Sequence, residues 1–285
     1  MDRTSTSSPE RRRALVISTA PVGEKMAGVG IRAFELARVL ADRAEVVIAS
    51  PGPEGERAGI RIASYEHRDP VALRPLIAWA DTVVGQPQWP LVAQWLRRAQ
   101  ARVAYDLYDP EIFENLEFFA AERRRMRGLW STLTLDRLLT ALHTGDFFIC
   151  ATPAQRDLWL GAMLAERLIT PERYERDPTM RGTIACVPFG VPPEPPARGP
   201  GEGIRDRLPE IPADAEIVLW NGGVWGWLDP ETVIRAVGRL AARRPRARLV
   251  FMGASSHPAA ARAAGQARAL AQELGLLGSV VHFND

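Results

Sequence analysis

Two aspartates at the end of one apolar segment are the strongest candidates for chemistry in this chain. Asp106 and Asp109 follow the alternating apolar residues of segment 101–105. A carboxylate at the carboxyl end of a buried strand can orient a hydroxyl group or accept its proton. Asp109 precedes a proline, and an Asp-Pro pair is typical of a turn and helix cap. Asp106 is therefore the catalytic candidate, and a plain turn residue is the alternative reading of it.

Two glycine-containing segments, each followed by a helical pattern, could bind an anion. Residues 27–30 read Ala-Gly-Val-Gly, and Arg32 follows in the first helical turn. Residues 221–223 read Asn-Gly-Gly, and Asp229 is a good N-cap for the next helix. Glycines let backbone approach a ligand, and the start of a helix attracts negative charge. Neither segment has the GxGxxG spacing of a dinucleotide site, and tight structural turns are the alternative.

Three tryptophans surround the second glycine segment. Trp220, Trp225 and Trp227 all lie within eight residues of one another. Their rings could line a pocket and stack on a flat ring or a sugar face, or they could simply fill the core. The sequence leaves both interpretations open.

The elements that must position these residues alternate between buried strands and helices. Continuous apolar runs predict strands, and apolar residues at helical spacing predict the helices between them. This alternation favours a parallel sheet with helices on both faces. The strands are predicted at 14–18, 44–50, 81–86, 101–109, 146–152 and 183–190, and the helices include 29–43, 89–99 and 153–167.

A second, smaller set of elements follows a segment rich in proline and glycine. The sequence thus predicts a disordered tail (1–13), a first domain (14–190), a linker (191–213) and a partial second domain (214–285). Three strands make a thin sheet, so the second domain is expected to be incomplete. Its strands are predicted at 216–221, 247–253 and 279–284, and its helices at 230–243 and 258–274.

Composition narrows the class of protein. The chain has 285 residues, 46% of them apolar and 25% charged, with a net charge of +2. Such a balance argues against a nucleic-acid-binding protein. No apolar stretch approaches the ~20 residues of a membrane span, so a cytoplasmic protein is predicted. Cys150 and Cys186 each end an apolar run and are expected to be buried free thiols.

The order and spacing of five segments resemble the GT-B-fold, nucleotide-sugar-dependent glycosyltransferases, and specifically their retaining group, the glycosyl transferases group 1 family. The resemblance covers most of residues 14–285 and implies two Rossmann-like domains, the first for the acceptor and the second for the donor. The segments are AGVGIRAFELARVLA (27–41), YDLYDPEIFENLEFF (105–119), VPFGV (187–191), WNGGVWGWLDPETVIRAV (220–237) and LVFMGASSHP (249–258).

The resemblance also implies roles for individual residues. The co-substrate would be a UDP- or GDP-linked sugar, with no permanently bound cofactor and no metal. Asp106 would be catalytic, while Asp109, Glu114 and Asn115 would lie on the acceptor side. The donor-binding residues would be Gly28, Gly30, Arg32, Asn221, Gly222, Gly223, Gly253 and His257.

The sequence departs from the family pattern in two places. Gly223 stands where the family commonly has an arginine, and Trp227 and Leu228 cover the region of a lysine that neutralises the diphosphate. The pair of glutamates eight positions apart, which grips sugar and ribose in the family, would fall beyond residue 285. The chain as given is therefore expected to be truncated and inactive.

The expected activity is transfer of a sugar, with retention, to an acceptor hydroxyl in the synthesis of a cell-envelope glycan, glycolipid or polysaccharide. The acceptor would be a glycan or a lipid-linked molecule. Segment 118–130 combines four arginines with three aromatic residues, so contact with the inner face of the cell membrane is one interpretation and a solvated helix face the other. The alternative functions are a sugar-nucleotide epimerase of the same fold and a two-lobed binding protein for a small ligand.

Overall fold

The computed structural model of the protein describes residues 12–191, 195, 203–253 and 258–284. The chain divides into two compact units. The first comprises Met1–Ile112 and Gly128–Val191, and the second comprises Phe113–Arg127 and Pro192–Asp285. Each unit contains a sheet of parallel strands with helices, so the predicted α/β class is confirmed.

The first unit is built on an eight-stranded sheet in the order β3-β4-β2-β1-β5-β6-β7-β8. Its neighbouring strands are parallel except for β3, which runs antiparallel to β4. The strands are β1 (Arg12–Ile17), β2 (Ala44–Ser50), β3 (Gly55–Arg57), β4 (Ile60–Ser64), β5 (Thr82–Gly85), β6 (Arg102–Asp106), β7 (Phe147–Cys150) and β8 (Ile184–Cys186).

Helices cover both faces of this sheet because its central strands are apolar on both sides. In β1, Ala14 and Val16 pack in one core cluster, while Leu15 and Ile17 pack in the other. The helices of this part of the chain are α1 (Gly28–Ala41), α2 (Leu73–Trp79), α3 (Pro90–Arg98), α4 (Glu111–Phe118), α5 (Arg124–Thr144), α6 (Pro153–Ala165) and α7 (Pro171–Arg176), with a short 3-10 helix at Pro70–Ala72.

The strand order creates a switch point between β1 and β5. The chain passes from β1 to β2 on one side, and later returns to place β5 on the other side. In open parallel sheets, ligands bind outside the carboxyl ends of the strands at such a point. The loops that follow β1 and β5 are therefore the first place to look for a site.

The second unit contains a three-stranded parallel sheet in the order β11-β10-β9. Leu249 and Phe251 of its central strand are fully buried against the helices. Its elements are α8 (Ile204–Arg207), β9 (Glu216–Trp220), a 3-10 helix at Gly226–Leu228, α9 (Pro230–Ala241), β10 (Ala247–Phe251), α10 (Pro258–Glu273) and β11 (Val281–Phe283).

Several local features differ from what the sequence indicates. The hairpin of β3 and β4 was not predicted; it turns at Ala58 and Gly59, both with positive φ (51° and 75°). Part of the segment interpreted as a linker is structured, since it forms α8 and buries Leu208 and Ile211. Residues 113–127 group with the second unit although they lie between strands of the first.

The two cysteines lie side by side on β7 and β8, with their Sγ atoms 4.0 Å apart. Both are free thiols, as expected, but only Cys150 is buried; Cys186 is exposed, because it lies at the end of the edge strand β8. Burial raises the pKa of the Cys150 thiol to about 12. None of the described helices has the length and apolar character needed to cross a membrane.

Candidate active site

Arg32 and Asp106, which the sequence assigned to separate roles, form one buried ion pair. Arg32 lies in the first turns of α1, and Asp106 is the last residue of β6. The guanidinium donates from Nε to Asp106 Oδ2 (2.6 Å) and from Nη2 to Oδ1 (2.9 Å). Side-chain exposure is only 4% and 5%. This bidentate geometry is the strong form of an arginine–carboxylate interaction.

Aromatic rings complete the enclosure of this pair. The Arg32 guanidinium lies over the rings of Tyr108 (4.8 Å) and Phe189 (5.0 Å), which contact each other edge to face. Burial raises the pKa of Asp106, and the hydrogen bonds and charge of Arg32 oppose that rise. Both carboxylate oxygens already accept from Arg32, so the geometry favours a positioning role for Asp106.

The loop between β1 and α1 is held in place by side chains from neighbouring strands. The Ser50 hydroxyl accepts from Val22 N (2.9 Å), and Arg57 Nη1 donates to the carbonyl of Gly23 (2.6 Å). The Tyr65 hydroxyl donates to the Ser18 carbonyl (2.9 Å). The loop at the switch point is thus preorganised by β2, β3 and the end of β4.

Gly28 and Gly30 have different environments within this turn. A Cβ atom on Gly30 would overlap the carbonyl oxygen of Pro21, so glycine is needed there for the close approach of two backbone segments. A Cβ on Gly28 would meet nothing within 4 Å. The N-cap residue, Ala27, makes no side-chain hydrogen bond to the helix. The first N–H groups of α1 therefore have no side-chain cap, and they are suited to bind an anion.

The second glycine turn follows β9 and is held mainly by its own residues. Trp220 Nε1 donates to the carbonyl of Gly223 (3.2 Å), and a Cβ on Gly223 would lie 2.5 Å from Trp225 Nε1. A Cβ on Gly253 would overlap the carbonyl of Gly222. Asn221 and Gly222 are exposed, and a Cβ on Gly222 would meet nothing. His257, also assigned to the donor, lies outside the described residues.

The tryptophans of this turn pack mainly against aromatic neighbours. Trp225 and Trp227 stack with ring centroids 4.7 Å apart, and Phe118 of α4 packs against both at 6.4 and 6.5 Å. Trp220 packs on Phe251 of β10. The structure therefore supports packing for these rings, the less specific of the two interpretations that the sequence left open.

The acceptor-side residues are divided between the two units. Asp109 belongs to the first unit, where burial lowers the pKa of Arg137 and the charge of Asp109 opposes that lowering. Glu114 and Asn115 lie on the part of α4 that belongs to the second unit, and both are half-buried. The structure thus does not bring these three residues together within one unit.

A pocket of about 430 Å³ opens in the first unit at the carboxyl ends of β1, β4 and β5. Its wall includes His67 and Arg68 after β4, Trp89 after β5, and the ion pair of Glu111 with Arg137. None of these five residues was predicted from the sequence. A signal was available for Trp89 alone, which lies a few residues after the predicted strand 81–86, whereas His67 and Arg68 follow β4, which was not predicted.

The architecture resembles that of solved glycosyltransferases. The match to WaaG, a glycosyltransferase involved in lipopolysaccharide biosynthesis, covers 95% of this chain and 69% of WaaG, with 16% identity and a TM-score of 0.57. The match to the trehalose-6-phosphate synthase OtsA covers 96% of this chain and 73% of OtsA, with 14% identity and a TM-score of 0.57. The match to a trehalose-6-phosphate protein from E. coli, bound with UDP-2-fluoro glucose, covers 96% of this chain and 73% of that protein, with 14% identity and a TM-score of 0.50.

At these identities the likeness defines an architecture, which is the GT-B fold predicted from the sequence. No protein-family profile matches the chain, and no curated protein matches it significantly.

Proposed function

We propose that the protein transfers a sugar from a nucleotide-sugar donor to an acceptor hydroxyl, with retention of the anomeric configuration. The observation that carries this proposal is the GT-B architecture, which aligns over 95–96% of the chain with WaaG and OtsA. The pocket of about 430 Å³ at the carboxyl ends of β1, β4 and β5 supports it, because a transferase needs room for a second substrate. We place the activity in the synthesis of a glycan, glycolipid or polysaccharide of the cell envelope.

The donor in this proposal is a UDP- or GDP-linked sugar. One structural neighbour was solved with UDP-2-fluoro glucose bound, which supports a donor of this class. In this chain the free N–H groups at the start of α1 would meet the diphosphate, since Ala27 provides no cap and Gly28 leaves open space. Asn221 and Gly222, which the resemblance also assigned to the donor, are both exposed within the second unit.

Asp106 acts in this proposal by holding Arg32, and through it the first turns of α1. Because both of its oxygens are engaged, proton acceptance from the acceptor is not assigned to it. Arg32 likewise contributes to the donor site through the position of α1 and not as a free cation for the diphosphate. Retaining transfer in this fold requires no metal-binding Asp-x-Asp motif, and none is invoked.

The experiment that tests the function measures release of nucleotide from UDP- and GDP-sugars, with and without a mixture of glycan acceptors. The protein is expressed from its native coding sequence. We expect nucleotide release that depends on the acceptor, with a product whose anomeric configuration matches that of the donor. Conversion of the donor sugar to its epimer without an acceptor would support an epimerase instead. Binding of a small ligand without turnover of any nucleotide sugar would support a binding protein.

A further inference from the structure

The pocket of the first unit contains a flat ring of the kind that stacks on a sugar. Trp89 is 41% exposed. It lies in the segment Pro87-Gln88-Trp89-Pro90, which begins and ends with proline. The amide of the buried Gln88 donates to the carbonyl of Gln86 (2.7 Å), which fixes this loop. A large aromatic surface in a preformed pocket provides apolar contact without much loss of conformational entropy.

A charged pair next to Trp89 offers both donors and acceptors of hydrogen bonds. Arg137 lies over the Trp89 ring at 4.8 Å and forms an ion pair with Glu111. The Arg137 side chain is nine-tenths buried, and the charge of Asp109 also acts on its guanidinium. The guanidinium can donate hydrogen bonds to sugar hydroxyls, and the carboxylate can accept hydrogen bonds from them.

The rim of the same pocket is positively charged. Arg68 is exposed and makes no ion pair within the part of the chain that the structure describes. Its neighbour His67 contacts the carbonyl of Thr19 through Nε2 (3.1 Å). Asp69, the nearest carboxylate in sequence on this side, caps the following helix instead. Two arginines, Arg68 and Arg137, and one glutamate, Glu111, line the pocket, so these charged side chains carry a net positive charge.

We propose that this pocket binds the acceptor, and that the acceptor is a sugar carrying a phosphate or a carboxylate. The sugar ring stacks on Trp89, its hydroxyls meet Glu111 and Arg137, and its anionic group pairs with Arg68. This assignment rests on the proposed transferase function, which it deepens by naming the chemical class of the second substrate.

Calorimetric titration with four probes tests the assignment: glucose, glucuronate, glucose 6-phosphate and inorganic phosphate. We expect at least one anionic sugar to bind more than about tenfold tighter than both glucose and phosphate, because ring and charge are recognised together. Arg68→Gln should remove the preference for the anionic sugar over glucose. Trp89→Ala should weaken both sugars by a similar factor, and Trp89→Phe should restore much of that binding.

Arg61→Gln is the matched control, since Arg61 is an exposed arginine of β4 that does not line the pocket. It should bind the probes as the wild type does. Equal affinity of the wild type for glucose and the anionic sugars would overturn the assignment, as would an unchanged preference in Arg68→Gln.

Transfer assays separate failure of this inference from failure of the function. Acceptor-dependent transfer with an acceptor KM that Arg68→Gln leaves unchanged would refute the pocket assignment and keep the transferase. Selective binding of anionic sugars without transfer from any nucleotide sugar would refute the transferase function and keep this pocket as a site for anionic sugars.

Discussion

The two glycine turns of this protein look alike in sequence and use their helix ends differently. After β1, the helix α1 begins at Gly28 behind Ala27, which provides no side-chain cap. After β9, the helix α9 begins behind Asp229, whose carboxylate accepts from Thr232 N (3.2 Å). The N–H groups at the start of α1 have no side-chain cap, whereas Asp229 satisfies one N–H group at the start of α9 and places a negative charge there.

Glycine before a helix therefore does not by itself define an anion site. What decides is whether the helix end is already capped and whether each glycine has a packing reason. Gly30 and Gly223 are both close to other atoms, whereas Gly28 and Gly222 face open space. The glycines with open space are therefore the ones that can serve a ligand.

The largest effect is expected at the ion pair that anchors the first turn. Asp106→Asn leaves Arg32 buried without its charged partner, and breaking such a pair costs about 3–5 kcal/mol of unfolding free energy. Denaturant unfolding of the variant measures this loss. Asp81→Asn is the control, because its pair with Arg13 is exposed and should cost far less. Similar losses in both variants would mean that the buried pair does not anchor the turn.

A smaller effect is expected from bulky residues at the two glycines of α1. Gly30→Val should lower the unfolding free energy by about 1–3 kcal/mol, because its side chain collides with Pro21. Gly28→Val should keep the stability of the wild type but lose more than about tenfold in affinity for the donor nucleotide, since about 1.4 kcal/mol or more of anion binding is blocked. Unchanged nucleotide affinity in Gly28→Val would remove this helix end from the donor site.

The smallest effects are expected from the caps. Asp229→Ala should lower the melting temperature slightly, while Asp229→Asn should retain most of the cap and tolerate the αL backbone (φ 52°). Hydrogen bonds from Thr232 lower the pKa of Asp229 below its ordinary 3.8, so its stabilising contribution is present above pH 3.8 and is lost as the pH falls below it.

The reverse exchange adds a cap to the first turn. Ala27→Ser should stabilise α1 slightly and weaken nucleotide binding, because the new hydroxyl competes for the free N–H groups. Thermal unfolding and calorimetry on the same sample measure the two effects. Stabilisation without any loss of binding would show that the nucleotide does not use these groups.

Most of the fold could be predicted because the sequence of a buried parallel strand is a continuous run of apolar residues. β2 has the predicted boundaries, Ala44–Ser50, and the other predicted strands overlap observed ones. The β3–β4 hairpin was missed because Gly55–Arg57 is polar and its turn lacks the usual Asn-Gly or Asp-Gly pair. A short edge strand of this kind is defined by its pairing partner and not by its own pattern.

The site was harder to predict because its contacts join distant parts of the chain. Arg32 and Asp106 are 74 residues apart, and nothing in a single sequence pairs them. The sequence therefore assigned one to the donor and the other to catalysis. The pocket residues Arg68, Trp89 and Arg137 depend on the order of the strands, which local patterns do not reveal. Collecting the residues that follow each predicted strand would have found Trp89 alone, because Arg68 follows β4, which was not predicted.

In the proposed donor site, the diphosphate of a nucleotide sugar meets the uncapped end of α1. Backbone amide chemical shifts of the isotope-labelled protein, followed during titration with UDP and GDP, test it directly. We predict saturable shifts at the amides of residues 28–30 with at least one of the two nucleotides, reduced in Gly28→Val. Saturable shifts confined to residues 222–232, with none at residues 28–30, would contradict the account.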